Sequence, residues 1–152
     1  MKKINFALVG CGHIAKRHAE YISKYGTLIA VCDINRDKAM ELGEKYSCPY
    51  YTSIDELLLH EKNSEIISIC THNSLHAKHT ITALKAGKHV LCEKPMATSL
   101  RDAENMILTA EKVRRNLFVV KQNRFNPPII ALKDALDQGK LGRIFNAQLS
   151  CF

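Results

Sequence analysis

The chain has 152 residues, of which 46% are hydrophobic and 24% charged, a balance typical of a globular domain with its own core. Its apolar runs are shorter than the roughly 18 residues of a membrane-spanning helix, and the apolar start is too short for a signal peptide, so we expect a cytoplasmic protein without a membrane partner. The net charge of +7 suits an anionic ligand, but the basic residues are scattered, which argues against nucleic-acid binding.

The first half of the chain alternates short apolar segments with amphipathic ones. The predicted strands cover residues 4–9, 28–32, 49–52 and 66–70, and the predicted helices cover residues 13–25, 36–46 and 54–60. Ser53, with Glu56 three residues later, resembles a capping box, which marks the start of the third helix.

The second half continues the alternation up to residue 120. The predicted helices cover residues 75–86 and 99–115, and the predicted strands cover residues 89–92 and 117–120. Gly87 is placed to end the first of these helices, and Ser99 to cap the second. Continuously apolar strands separated by helices indicate a parallel sheet covered on both faces. The predicted fold class is therefore α/β, a doubly wound Rossmann sheet.

The pattern changes at a loop rich in asparagine and proline. We predict a first domain at residues 1–123 and, at residues 124–152, a linker helix and the first strand of a second domain. A helix that starts at the prolines is expected to include residues 129–136. The strand is expected at residues 145–151, where apolar and polar residues alternate as in a half-buried antiparallel strand. Since one strand forms no sheet, we expect the chain to be a fragment or a shortened gene product.

Residues 10–15 read G-x-G-x-x-A between a predicted strand and a predicted helix, which is the context of a dinucleotide-binding turn. Gly10 permits the tight turn, Gly12 lets the backbone approach a pyrophosphate, and Ala15 allows close helix packing. The free N–H groups at the start of the helix would then bind the phosphates.

Asp33 lies 23 residues after Gly10, at the end of the second predicted strand. A carboxylate at this position can accept hydrogen bonds from both ribose hydroxyls of an adenosine, and it repels a 2′-phosphate. We therefore predict NAD as the cofactor. Arg36 leaves NADP as an alternative, because an arginine near this site can bind the extra phosphate.

Polar residues also follow the fourth and fifth predicted strands. Thr71 and Asn73 can face a bound dinucleotide, or Asn73 or Ser74 can simply cap the next helix. Lys94, held between an apolar strand and Pro95, is either an ordinary surface lysine or a group beside the nicotinamide. In the second case it would move a proton or hold a substrate oxygen as a cation.

Histidines and cysteines raise the question of a metal site. His72, His76 and His79 could share one helix face, but His72 precedes the predicted helix and no carboxylate completes a ligand set. The six cysteines, at positions 11, 32, 48, 70, 92 and 151, form no C-x-x-C pair. We predict no metal, and reduced, buried thiols.

Four segments resemble the Gfo/Idh/MocA oxidoreductases, the relatives of glucose-fructose oxidoreductase and inositol dehydrogenase. They are Gly10-Cys11-Gly12, Cys32-Asp33, AGKHVLCEKPMA at residues 86–97 and GKLGRI at residues 139–144. The resemblance covers essentially the whole chain. It implies an NAD-binding Rossmann domain joined to an α/β domain with a large open antiparallel sheet, which usually lines the substrate site and carries the contact of a homo-oligomer.

A finer resemblance lies in residues 92–98 and 118–124, which are similar to the UDP-N-acetylglucosamine-uronate 3-dehydrogenases of lipopolysaccharide O-antigen biosynthesis. These enzymes oxidise the 3-hydroxyl of a nucleotide sugar with NAD. The resemblance makes Lys94 the catalytic lysine. Positions that match the surroundings of the cofactor are Gly10, Gly12, His13, Ile14, Asp33, Thr71, Asn73, His76, Glu93, Lys94 and Gln122. Lys94, Asn123 and Arg124 match substrate-binding positions.

The resemblance also implies what this chain lacks. The remaining catalytic groups of the family, an Asp and a His on one helix turn of the second domain, would lie beyond residue 152. We therefore expect the chain to bind NAD with little or no turnover. The alternatives are a family member that oxidises a free sugar or inositol, and a non-catalytic NAD-binding module.

Overall fold

The computed structural model describes residues 3–148, which belong to two compact units, one ending at Val120 and one beginning at Lys121. The elements of the first unit, in chain order, are β1 (Asn5–Val9), α1 (His13–Tyr25), β2 (Thr27–Cys32), α2 (Arg36–Tyr46), β3 (Tyr50–Tyr51), α3 (Ile54–His60), β4 (Ile66–Ile69), α4 (His76–Lys85), β5 (His89–Cys92), α5 (Leu100–Val113) and β6 (Leu117–Val119). They confirm the predicted elements and differ from them at the ends. Within residues 3–148, no helix has both the length and the hydropathy needed to cross a membrane.

The six strands form one parallel sheet in the order β3-β2-β1-β4-β5-β6. This order, with the chain moving outward from β1 in both directions, confirms the predicted doubly wound fold. Val9 pairs with Cys32 on one side and with Ile69 on the other, and Ile69 pairs with Cys92. The carboxyl ends of four neighbouring strands therefore lie at one edge of the sheet.

Both faces of the sheet are buried. Val9 and Ile69 point to one face, where they pack with buried residues of α3, α4 and α5. Leu8 and Val31 point to the opposite face, where they pack with buried residues of α1 and α2. Because side chains alternate along a strand, coverage on both faces requires the continuously apolar strands seen in the sequence.

The helix starts agree with the sequence in part. Ser99 accepts from the N–H of Asp102 at 3.1 Å and donates to its carboxylate at 2.8 Å, which confirms the predicted cap of α5. Ser53 caps α3 by accepting from the N–H of Asp55 at 3.2 Å, so its bond goes to the second residue of the helix and not to Glu56 as in a capping box.

The start of α4 contradicts the alternative in which Asn73 or Ser74 caps this helix. Asn73–Leu75 forms a short 3-10 turn, and α4 begins after it at His76 with no side-chain cap. The 3-10 turn is itself capped by His72, whose Nδ1 accepts from the N–H of Ser74 at 3.4 Å. Because this turn lies between Asn73 and the first residue of α4, the side chain of Asn73 does not cap α4.

The second unit contains a 3-10 turn at Gln122–Phe125 and helix α6 at Pro127–Asp137. Two prolines occupy the first turn of α6, where a missing N–H costs nothing, and the helix begins at them as predicted. The strand predicted at residues 145–151 is wrong for residues 145–148, which form no strand, and its remainder lies outside the described residues. Between residues 121 and 148 the structure has no neighbouring strand with which such a segment could pair.

Lys88 closes the loop between α3 and β4. Its side chain is 8% exposed, and its ammonium donates to the carbonyl oxygens of Lys62 and Ser64, each at 2.8 Å, and of Glu61 at 3.4 Å. Burial, together with the nearby charge of Lys62, lowers the pKa of Lys88. The lysine of the G-K-H segment is therefore a structural group.

Replacing Lys88 with methionine should lower the free energy of unfolding by about 2–3 kcal/mol, because buried carbonyl groups lose a charged donor. The measurement is urea denaturation of the two proteins. Lys85→Met, an exposed lysine at the end of α4, is the matched control and should cost less than about 1 kcal/mol. Equal losses in the two variants would contradict the structural role of Lys88.

Candidate functional site

Backbone hydrogen bonds hold the carboxyl ends of the central strands together. The N–H of Gly10 donates to the carbonyl of Cys32 at 2.7 Å, and the N–H of Glu93 donates to the carbonyl of Ile69 at 2.9 Å. The residues that follow β1, β2, β4 and β5 therefore emerge side by side. Most of the predicted site residues belong to these segments.

A cavity of about 390 Å³ lies at this edge. It brings together four of the predicted cofactor-binding residues, namely Gly10, Gly12, Asp33 and Thr71. In an open α/β sheet, ligands bind at this edge, where the strand order reverses between β1 and β4. The cavity is therefore the candidate site.

Gly10 lies where β1 approaches the loop after β4. Its φ of 94° is in the left-handed region, and a Cβ at this position would lie 2.6 Å from the backbone carbonyl carbon and oxygen of Cys70. Neither backbone segment can move away, because both continue from paired central strands. A side chain at position 10 is therefore excluded by the protein itself.

Gly12 differs from Gly10, because a Cβ at position 12 would have no protein atom within 4 Å. Gly12 also precedes the first residue of α1, and no side chain caps that helix. The N–H groups of the first turn of α1 therefore have no side-chain cap. This combination of bare backbone and free N–H groups fits a dinucleotide pyrophosphate.

The Asp33 carboxylate is fixed by the backbone. One oxygen accepts from the N–H of Cys11 at 2.7 Å, and the other accepts from the N–H of Asn35 at 2.8 Å. The first bond ties the end of β2 to the glycine turn. The carboxylate therefore lines the cavity in one orientation, with its remaining lone pairs available to ribose hydroxyls.

Arg36, the residue that left NADP as an alternative, is exposed at the start of α2. The neighbouring Tyr50 side chain raises the pKa of its guanidinium. Arg36 is not among the residues that line the cavity. Of Asp33 and Arg36, only Asp33 lines the cavity, and the structure therefore favours NAD.

Lys94 lies on the turn that follows β5, and its side chain is exposed. Its N–H donates to the carboxylate of Glu93 at 2.9 Å, and the other oxygen of that carboxylate contacts His18 at 2.9 Å. Lys94 shares the sheet edge with the cavity but does not line it. The cavity therefore contains residues predicted to bind the adenosine and the phosphates, and it does not contain Lys94.

His76 connects the loop after β4 with the Lys94 turn. It is 1% exposed, and its ring nitrogens lie 2.6 Å from the carbonyl oxygen of Pro95 and 3.0 Å from that of Thr71. Like Glu93, His76 makes its side-chain contacts within the chain. Direct contact of either side chain with a cofactor stays a prediction.

The other predicted residues lie outside the cavity lining. His13 is exposed at the first position of α1, Ile14 packs on the core below that helix, and Asn73 is exposed in the 3-10 turn. The residues Gln122, Asn123 and Arg124 belong to the second unit, where they form a 3-10 turn.

Sequence reasoning missed several residues that line the cavity, including Ile34, Thr52, Asp55, Leu75 and His79. Thr52 directly follows β3 and Ile34 lies two residues after β2, and these positions at strand ends were a usable signal. His79 was considered as a metal ligand, but it lies 3.3 Å from the Thr71 hydroxyl, and burial and the neighbouring Lys78 lower its pKa. A lowered pKa keeps this ring neutral at pH 7.

The three histidines do not converge on a common point. His72 contacts Ser74, whereas His76 and His79 contact different atoms of Thr71. Across residues 3–148, no three His, Cys, Asp or Glu side chains are grouped closely enough to hold a metal ion.

The thiols near the cavity are protonated. Burial, with the nearby charge of Asp33, raises the pKa of Cys11 and of Cys32 to about 12, and burial likewise raises the pKa of Cys70 to about 12. A thiol with such a pKa is almost entirely neutral at pH 7, and neutral thiols are poor nucleophiles. These cysteines therefore act as small packing residues beside the cavity.

A larger depression, of about 630 Å³, lies between α5 and β6. Its lining includes Ile107, Arg114 and Phe118, and none of the predicted site residues. It lies at the outer strand of the sheet, away from the reversal of strand order. Although this depression is larger than the cavity, its position and lining exclude it as the dinucleotide site.

Alanine at position 12 should weaken NAD binding by about tenfold or more, because the added methyl group occupies space that a pyrophosphate needs. Its melting temperature should match that of the parent chain, since the methyl group touches no protein atom. Gly10→Ala is the matched variant and should lower the melting temperature. Calorimetric titration and thermal melts measure the two effects, and unchanged NAD affinity in Gly12→Ala would contradict the assignment.

The comparisons with known proteins agree with this geometry. A family model described as "Oxidoreductase family, NAD-binding Rossmann fold" (GFO_IDH_MocA) matches residues 4–121. The crystal structure of the WlbA dehydrogenase from Chromobacterium violaceum, in complex with NADH and UDP-GlcNAcA, is 38% identical with a TM-score of 0.92. That match covers 95% of this chain and 43% of the WlbA chain.

Two curated relatives are 34% identical to the chain. D-glucoside 3-dehydrogenase of Escherichia coli matches over 93% of this chain and 41% of its own length, and glucose-6-phosphate 3-dehydrogenase of Bacillus subtilis over 98% and 42%. The chain thus spans about two fifths of the length of these relatives. The fold, the glycine turn with Asp33, and these matches together show that the chain belongs to the Gfo/Idh/MocA family of NAD-dependent oxidoreductases, with its first unit as the NAD-binding Rossmann domain.

Proposed function

We propose that the chain is the NAD-binding part of a dehydrogenase that oxidises the 3-hydroxyl of a UDP-N-acetylamino sugar uronate for lipopolysaccharide O-antigen biosynthesis. The observation that carries the dehydrogenase proposal is the exposed Lys94 on an anchored turn, at the sheet edge that also holds Asp33. The nucleotide sugar is supported by the 38% identity to the WlbA dehydrogenase, whose structure contains NADH and UDP-GlcNAcA.

The cofactor site is assigned to three groups of the first unit. Asp33 accepts from the ribose hydroxyls, Gly12 leaves room for the pyrophosphate, and the uncapped first turn of α1 donates to its oxygens. When bound, NAD supplies the hydride acceptor of the reaction.

Lys94 is assigned to the reacting hydroxyl. An ammonium group at the end of β5 can hold the sugar oxygen and stabilise the negative charge that develops on it. The proton of that hydroxyl needs an acceptor, for which we propose the Asp and His of a complete second domain. This chain alone is therefore expected to bind NAD with little or no turnover.

The second unit is assigned to substrate binding. Arg124 and Asn123 form part of a 3-10 turn in this unit, and a guanidinium suits the diphosphate or the uronate of a nucleotide sugar. We propose that the complete protein is a homo-oligomer joined through its second domain.

A second candidate is the oxidation of a free or simply phosphorylated sugar. It is supported by the 34% identity to D-glucoside 3-dehydrogenase and to glucose-6-phosphate 3-dehydrogenase. Both names share the 3-position with the first candidate, so the two candidates differ in the sugar and agree on the hydroxyl.

A substrate panel separates these candidates. A polypeptide that joins this chain to a complete second domain is mixed with NAD and UDP-GlcNAcA, a D-glucoside or glucose 6-phosphate, and the absorbance of NADH is followed. We expect UDP-GlcNAcA to give the highest kcat/KM. A clear preference for the glucoside or for glucose 6-phosphate would overturn the nucleotide-sugar proposal in favour of the second candidate.

In the same polypeptide, Lys94→Ala should lower kcat by about 100-fold or more, because the charge that stabilises the developing alkoxide is lost. The affinity for NAD, measured by titration, should change by less than about threefold, since the groups that bind the phosphates remain. Lys112→Ala, in the last turn of α5, is the control and should keep full activity. Full activity of Lys94→Ala would exclude a catalytic role for this lysine.

Asp33→Asn should weaken NAD binding by about 10- to 100-fold, which corresponds to the loss of hydrogen bonds to a charged acceptor. The affinity for NADP should fall less or rise, because the repulsion of the 2′-phosphate disappears. Titration of the 152-residue chain with both dinucleotides tests this expectation. The control is Asp37→Asn, which changes an exposed carboxylate in the first turn of α2 and should leave both affinities unchanged. A preference of the parent chain for NADP would refute the role of Asp33.

A further inference from the structure

A buried series of hydrogen bonds connects helix α1 with the backbone of Lys94. His18, on α1, places Nε2 2.9 Å from Oε1 of Glu93 and Nδ1 2.8 Å from the hydroxyl of Ser68 on β4. The other carboxylate oxygen of Glu93 accepts the N–H of Lys94 at 2.9 Å. Three segments of the first unit, α1, β4 and the Lys94 turn, therefore meet at this one carboxylate and this one ring.

These groups are shielded from water. Ser68 is 0% exposed and Glu93 is 5% exposed, and the side chain of His18 is 11% exposed. A buried carboxylate is costly unless each oxygen has a hydrogen-bond donor. In this structure Glu93 has one donor on each oxygen, from His18 and from the backbone of Lys94.

The carboxylate of Glu93 fixes the direction of its hydrogen bond with His18. A carboxylate only accepts, so Nε2 of His18 carries the proton and donates to Glu93. Nδ1 of His18 lies within hydrogen-bond distance of the Ser68 hydroxyl, which can donate or accept. With an apolar residue at position 18, Oε1 of Glu93 would lose its donor, and the carboxylate would turn toward water and release the N–H of Lys94.

We propose that His18 is a positioning residue for Lys94, which it holds in place through Glu93. Because Lys94 has a long and exposed side chain, the site of its ammonium depends on how firmly its backbone is held. The same contact ties the Lys94 turn to α1, the helix whose first turn fits the cofactor phosphates. The inference rests on the proposed function for the role of Lys94, but its hydrogen bonds can be tested without any sugar.

The test is amide hydrogen exchange of the 152-residue chain, followed by NMR residue by residue. His18→Leu removes both ring nitrogens at similar size. The Lys94 amide should then exchange about tenfold faster, as expected when a supporting hydrogen bond behind a functional group is lost. Amides of the central strands, such as those of Leu8 and Ile67, should change by less than about twofold.

Two further variants make the test specific. His18→Gln keeps a side-chain N–H that can donate to Glu93, and it should restore Lys94 exchange to within about threefold of the parent chain. His89→Leu makes the same change at the opposite end of β5, where Nδ1 of His89 accepts the N–H of Asn116 at 2.9 Å. This control should accelerate the Asn116 amide and leave the Lys94 amide unchanged.

Unchanged Lys94 exchange in His18→Leu would overturn the inference. The inference would also be overturned if all amides of β4 and β5 exchanged faster by the same factor as the Lys94 amide. The same holds if His18→Gln accelerated Lys94 exchange as much as His18→Leu. If His18→Leu does not fold, His18→Asn replaces it under the same criteria, because its shorter amide is polar but does not reach Glu93. If the exchange rates are as expected but no sugar is oxidised in the substrate panel, the proposed function is contradicted and this inference is not.

Discussion

The close approach of β1 to the loop after β4 is the constraint on which the site depends. A Cβ on Gly10 would lie 2.6 Å from the backbone of Cys70, so the two segments touch through bare backbone. This contact lies between β1 and β4, where the strand order reverses. The segments that follow β1, β2, β4 and β5 can therefore supply the glycine turn, Asp33, Thr71 and Lys94 at one edge of the sheet.

Around this edge, the polar groups are divided between those that face open space and those that hold the chain. The carboxylate of Asp33 and the backbone of Gly12 line the cavity, and they can bind a cofactor. Glu93, His18 and His76 are buried or nearly so, and their partners belong to the protein. An exposed lysine on a turn held from two sides suits a group that must meet a substrate with little rearrangement.

Much of the fold could be predicted from the sequence, because its signals are local. The alternation of apolar strands with helices, the cap at Ser99 and the spacing from Gly10 to Asp33 each reflect contacts between near neighbours or one repeated unit. The strand predicted at residues 145–151 is absent at residues 145–148, the part that the structure describes. A stable strand needs a neighbouring strand, and an alternating sequence pattern does not show whether one is present. The possible cap of α4 by Asn73 or Ser74 is not seen, because these residues form a 3-10 turn before the helix begins.

The sequence by itself determined the doubly wound sheet and the glycine turn. It also predicted a ribose-binding role for Asp33 and a position just after β5 for Lys94, since each follows from a short motif next to a strand. Only the tertiary structure decided that His18, 75 residues from Glu93, pairs with it, and that the ring nitrogens of His76 lie close to two carbonyl oxygens. The physical reason is that these contacts join segments distant in the chain. A side chain's partner across a packed sheet depends on strand order and register, which no local pattern of residues encodes.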